Sequence, residues 1–172
     1  PMLIVACVKA GSKYSASHVN ILADMVARSL CEVPGRFVCL TDDQAGLAPG
    51  VEALPLPEGV HGWWAKLALF RPGVFAEGDR VLYLDLDTVI CGAIDALAAY
   101  AGPFAILRDF YRPNGFNSSV MAWPAGWGGH IWDEWLAAGR PELEGGDQVW
   151  IEREVGAAAI LQGLFPGLFA SF

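Results

Sequence analysis

Short apolar runs and amphipathic stretches alternate from the second residue of this chain onward, and that alternation limits the folds open to it. Met2–Val8 (MLIVACV) reads as a strand. A polar loop, KAGSKYSAS, follows, and Val19, Leu22, Met25, Val26 and Leu30 then recur at helical spacing behind an N-cap at Ser17. Residues 36–41 (RFVCLT) read as a second strand and residues 51–56 (VEALPL) as a third, which Pro55 breaks and makes an edge strand or a short piece. WWAKLALF (63–70) reads as a short helix stopped by RPG, and residues 80–92 as the next strand. AIDALAAY reads as a helix, PFAILRD and SSVMAW as strands, and GHIWDEWLAA as a helix with Ile131, Trp132, Trp135 and Leu136 on one side. DQVWIEREV is the last helix. Such a chain predicts an α/β domain, Rossmann-like, with a mostly parallel central sheet and helices on both faces. At 172 residues the expectation is one domain spanning 1–172.

Composition narrows the function. A net charge of −8 argues against a nucleic-acid partner, which would require a basic face. The same charge repels a polyphosphate ligand unless a cation mediates the contact. Cys7, Cys31, Cys39 and Cys91 lack metal-site spacing and read as buried reduced thiols. No stretch approaches about 18 apolar residues, so no transmembrane segment is expected, and the reading is a cytoplasmic protein.

One stretch resists the pattern. RVLYLDLDTVICG (80–92) looks like a buried strand, yet it carries Asp85 and Asp87. Burying an ionised carboxylate without a partner costs several kcal/mol. Read as strand residues, the two point to one face, roughly 6–7 Å apart at Cα. Their repulsion is relieved by a divalent cation or a shared proton. Open α/β sheets bind ligands beyond the carboxyl ends of their strands, where Asp42, Asp43, Asp85, Asp87 and Asp109 all fall in this reading.

The string LYLDLDTV fits two motifs: the DxD of glycosyltransferases, and the DxDxT of haloacid-dehalogenase-type phosphatases, with Asp85 as nucleophile. The phosphatase motif belongs on a first strand with a basic residue after it. Here strands precede it, and all three lysines, Lys9, Lys13 and Lys66, come earlier. WWAKLALF before the motif, and FNSSVMAW and GGDQVWI after it, together resemble glycosyltransferase family 8. That is the retaining GT-A group containing glycogenin and bacterial galactosyltransferases, and the closest likeness is to uncharacterised bacterial members. The resemblance spans nearly the whole chain.

The resemblance implies a GT-A fold and a hexosyltransferase that moves a sugar from a nucleotide-sugar, a UDP-sugar, to a sugar, lipid or protein acceptor. It implies Mn²⁺ or Mg²⁺ held by Asp85 and Asp87. Lys66 stands where the family has a basic residue contacting phosphate or sugar. Asn117 and Ser118 match a segment lining the donor sugar, and Asp147 and Gln148 match a DQ pair beside it, so that Asp147, Gln148 and Asn117 are the catalytic candidates. The first loop departs from the family, offering Val8, Lys9 and Tyr14 as donor contacts. The family's third metal ligand, a C-terminal His, has no counterpart after the DQ segment. His18, His61 and His130 all precede it. The expectation is therefore a form lacking the family's last segment, with a catalytically weak nucleotide-sugar-binding domain as the alternative and self-association through exposed aromatics as a further possibility.

Overall fold

The computed structural model describes residues 1–172. Seven strands form one sheet in the order β3-β2-β1-β4-β6-β5-β7. They are β1 (Leu3–Lys9), β2 (Gly35–Thr41), β3 (Val51–Pro55), β4 (Arg80–Leu84), β5 (Ala105–Arg108), β6 (Phe116–Pro124) and β7 (Ala159–Ile160). The pairs β1–β2, β1–β4, β2–β3 and β5–β7 are parallel; β6 runs antiparallel to both β4 and β5. The mostly parallel α/β sheet is as expected, and β3 is indeed an edge.

Alternation along the strands divides the core in two. Leu3, Val5 and Cys7 of β1 pack with Val19, Leu22 and Val26 of α1 (Ala16–Ser29) and with Leu97 of α2 (Asp95–Ala98) and Leu161 of α5 (Leu161–Leu164). Ile4 and Ala6 face the other way. They join Trp64 and Leu67 of a 3-10 helix (Gly62–Phe70), Ile131 and Trp135 of α3 (Gly129–Ala137) and Trp150 of α4 (Asp147–Val155). Helices therefore cover both faces, as a parallel sheet buried on both sides requires.

Several local expectations are corrected. Ser15, not Ser17, precedes α1; its backbone N–H donates to His18 Nδ1 at 3.1 Å. The 62–70 segment is a 3-10 helix, buried continuously from Trp64 to Phe70. A segment apolar all round gives the sequence no period by which to tell the two helix types apart. Leu136 is exposed, and of the four thiols only Cys7 and Cys39 are buried.

Trp135 is fully buried, stacks parallel to Trp64 with ring centroids 6.0 Å apart, and donates its indole N–H to Pro141 O. Trp135→Ala should cost about 3–5 kcal/mol, combining lost burial with a cavity. Urea unfolding measures it, and a loss below about 1 kcal/mol would place Trp135 outside the core.

Candidate functional site

β1 connects to β2 on one side, whereas the chain returns through the 3-10 helix to β4 on the other. The carboxyl ends of β1 and β4 therefore flank the switch point of the sheet, where open α/β sheets bind ligands. Val8 and Lys9 end β1, and Asp85 follows β4.

The strand that carries Asp85 stops at Leu84, earlier than its apolar continuation suggested. Asp85 to Thr88 form a turn closed by Thr88 N–H to Asp85 O at 3.1 Å, and Val89 is exposed. Asp85 and Asp87 are thus not residues of one strand, and the strand-face geometry expected for them does not apply. Asp85 is half-buried and Asp87 is exposed.

What faces Asp85 is a lysine. Lys66, 7% exposed, extends from the 3-10 helix and sets its Nζ 2.9 Å from Asp85 Oδ1 and 3.6 Å from Asp147 Oδ2. It also donates to Ser118 Oγ at 3.0 Å. Ser118 donates in turn to Asp147 Oδ2 at 2.7 Å, and Tyr83 donates its hydroxyl to Asp85 Oδ1 at 2.5 Å. The Lys66 ammonium lies 5.2 Å from the centre of the Tyr83 ring. All three N–H directions of Lys66 thus have protein oxygens in reach, so a phosphate contact would require it to leave one.

A strand irregularity delivers Ser118. β6 pairs with β5 at Met121–Ile106 and then at Asn117–Leu107, so the residues between them slip out of the β5 register. Ser119 O accepts from Asp85 N–H at 2.9 Å, which ties the irregular segment to the end of β4. Bulges commonly re-aim side chains beside binding sites in this way. Asn117 Oδ1 accepts from Ser119 N–H at 2.9 Å, and its amide nitrogen has no protein partner.

Burial lowers the Lys66 pKa, but Asp147 and Asp85 together outweigh that and hold it above its ordinary value. Burial raises the Asp147 carboxyl, and Lys66 and Ser118 only partly offset the rise. Tyr83 is pushed well up by burial and by the neighbouring Asp85. At neutral pH the ammonium and phenol therefore both keep their protons.

The other strand-end acids serve their own loops. Asp42 accepts Gly11 N–H, Asp43 accepts Ala45 N–H, and Asp109 accepts the N–H groups of Tyr111 and Arg112. Tyr14 is half-buried, with His18 edge-on at 5.1 Å and Lys13 over its ring. Lys9 is buried and forms no ion pair. Gln148 leaves its amide unpartnered on the first turn of α4. His61 pairs with Glu142 at 2.6 Å, and His18 serves α1. An open groove of about 360 Å³ lies at the ends of β2 and β3, lined by Thr41, Asp42, Gln44 and Leu54 among others.

A divalent cation has two carboxylates available to it. Asp85 spends Oδ1 on Lys66 and Tyr83 but leaves Oδ2 without a protein donor, and Asp87 is unengaged. No group of three His, Cys, Asp or Glu residues gathers anywhere in the fold. The set fits an ion such as Mg²⁺, which keeps several waters, or Mn²⁺ completed by ligand oxygens.

No family model matches the chain, and no curated protein matches it. Solved structures do. The glycosyltransferase GlyE of Streptococcus pneumoniae TIGR4 superposes with a TM-score of 0.63 at 20% identity, over 99% of this chain and 45% of GlyE. The galactosyltransferase LgtC, solved with donor and acceptor sugar analogs, gives a TM-score of 0.56 at 17% identity, over 97% of this chain and 72% of LgtC. The chain has the GT-A fold of these glycosyltransferases, and it spans less than half the length of GlyE.

Folding raises the Asp147 pKa above 3.8, so the folded state binds that proton more tightly than the unfolded chain. Its contribution to stability is complete below that value and is lost as pH rises through the raised pKa. Asp147→Asn should therefore gain stability relative to wild type as pH rises above 3.8. Melting both proteins across the acid range tests this; a relative loss would mean that pairing with Lys66 outweighs burial.

Proposed function

We propose that this chain is a metal-dependent glycosyltransferase domain that transfers a sugar from a nucleotide-sugar, a UDP-sugar, to an acceptor, with retention of configuration. The observation that carries the reading is the Lys66–Asp85–Ser118–Asp147 cluster at the switch point of a GT-A sheet. Mn²⁺ or Mg²⁺ on Asp85 and Asp87 would neutralise the diphosphate and act as Lewis acid on the leaving group.

The chain's own residues divide the remaining work. Lys66 and Tyr83 orient Asp85 so that Oδ2 is free for the cation. Ser118 and Lys66 hold the Asp147 carboxylate in place. Asn117 and Gln148, whose amides lack protein partners, hydrogen-bond the transferring sugar. One structure of LgtC is of an active-site mutant in which glutamine is replaced by glutamate, which accords with a role for Gln148. Val8, Lys9 and Tyr14 border the nucleotide side. No helix of the structure is long and apolar enough to cross a membrane.

The absence of a third clustered ligand favours a second reading, a nucleotide-sugar-binding domain with little turnover. Release of free sugar from a donor panel separates the two, since an inert binder releases none.

Calorimetry tests the common claim. UDP should bind in the presence of Mn²⁺, and Asp87→Asn should weaken that binding by about tenfold or more, equivalent to roughly 1.4 kcal/mol. Because Asp87 is exposed, the variant's stability should stay within about 0.5 kcal/mol of wild type. If no nucleoside diphosphate among UDP, GDP, CDP and ADP binds with Mn²⁺, the reading fails.

A further inference from the structure

Of the seven tryptophans only Trp63 is exposed, at 61%, and it joins neither core. It is held in place nonetheless. A Cβ built on Gly146 would lie 3.1 Å from Cε2, 3.2 Å from Nε1 and 3.3 Å from Cδ2 of Trp63. Three ring atoms at nearly equal distance put Gly146 over the face of the indole, not against its edge. Gly146 has φ +81, a conformation that favours glycine, and directly precedes Asp147. One face of the indole is thus seated on the main chain at the start of α4, and the exposure belongs to the rest of the ring.

The 3-10 helix sets where that ring stands. Side chains three apart eclipse in such a helix, so Trp63 lies on the same side as Lys66, the side that reaches Asp85 and Asp147. β3 delivers the chain to the carboxyl edge of the sheet, and β4 starts again at the amino edge. The helix between them therefore descends, with Trp63 one turn above Lys66 toward the carboxyl edge.

The surroundings are polar. His61 pairs with Glu142 beside the helix start, and neither the Trp63 indole N–H nor the Gln148 amide has a protein partner. One flat aromatic ring flanked by free hydrogen-bonding groups suits a pyranose, which offers a C–H face to the ring and hydroxyls to its rim. An acyl chain would need a contiguous apolar surface, and the exposed chain neighbours of Trp63 and Gly146 are His61, Gly62, Glu144 and Gly145.

We propose that Trp63 is a stacking platform for a saccharide acceptor, placed on the surface beside the start of α4 and Asp147. The proposal rests on the glycosyltransferase reading: a donor anchored at Asp85 and Asp87 would occupy the strand ends, so the exposed ring one turn above Lys66 would meet the second substrate.

Saturation-transfer NMR tests it on the full chain with Mn²⁺ and UDP bound, using lactose, cellobiose and chitobiose as probes. At least one disaccharide should bind. Trp63→Ala should weaken it about tenfold, the upper end of a single aromatic contact, and Trp63→Phe should stay within about threefold of wild type. UDP affinity by calorimetry should be the same in all three proteins. If UDP binds but no disaccharide does, or if Trp63→Ala keeps the disaccharide affinity, the platform is refuted. Binding to phosphatidylglycerol vesicles that is abolished by Trp63→Ala would assign the ring to a membrane and refute it as well. If UDP itself does not bind, the parent reading falls and takes the proposal with it.

Discussion

The site depends on one ammonium placed between two carboxylates. At an effective dielectric of about 20, each of the Lys66 pairs is worth roughly 5 kcal/mol. Desolvating each buried ion costs several kcal/mol, so the cluster comes close to breaking even as a source of stability. Burial presses Lys66 toward its neutral form, and the two acids together hold its proton. The value of the arrangement is therefore positional. It fixes Asp147 and one oxygen of Asp85 while leaving the other oxygen and Asp87 open to a ligand cation.

Every element around the cluster contributes one atom to it, and none could do so alone. The 3-10 helix supplies Lys66, β4 supplies Tyr83 and leads into Asp85, the slipped register of β6 supplies Ser118, and α4 begins at Asp147. On the proposed reading, this convergence at the carboxyl edge of the sheet also bears on how an acidic protein would bind a diphosphate. The one buried cation in the cluster is already engaged, so charge neutralisation would fall to a metal on the free carboxylate oxygens.

Much of this was legible in the chain. Alternation predicted the layered sheet because each strand buries both faces, and acids at the ends of apolar runs pointed to the binding edge. Tyr83, two residues before Asp85, also lies within reach of period-two reasoning. Other features leave no local trace. The reversal of β6 is a matter of pairing, and the slip at Ser118 depends on β4 and β5 together. The apolar Val89–Ile90 made Asp85 and Asp87 look like strand interior, when the chain turns at Asp85 and exposes Val89. Trp63 lies in an apolar run, and only the fold separates it, exposed and seated on Gly146, from the buried Trp64 beside it.

The most direct test of the account is a crystal structure of the chain with Mn²⁺ and UDP, with the metal located by anomalous scattering. A single peak bound by Asp85 and Asp87 is expected, with the diphosphate completing its shell and Lys66 still bridging to Asp147. A metal or nucleotide located away from the ends of β1 and β4, or a metal held by neither aspartate, would contradict it.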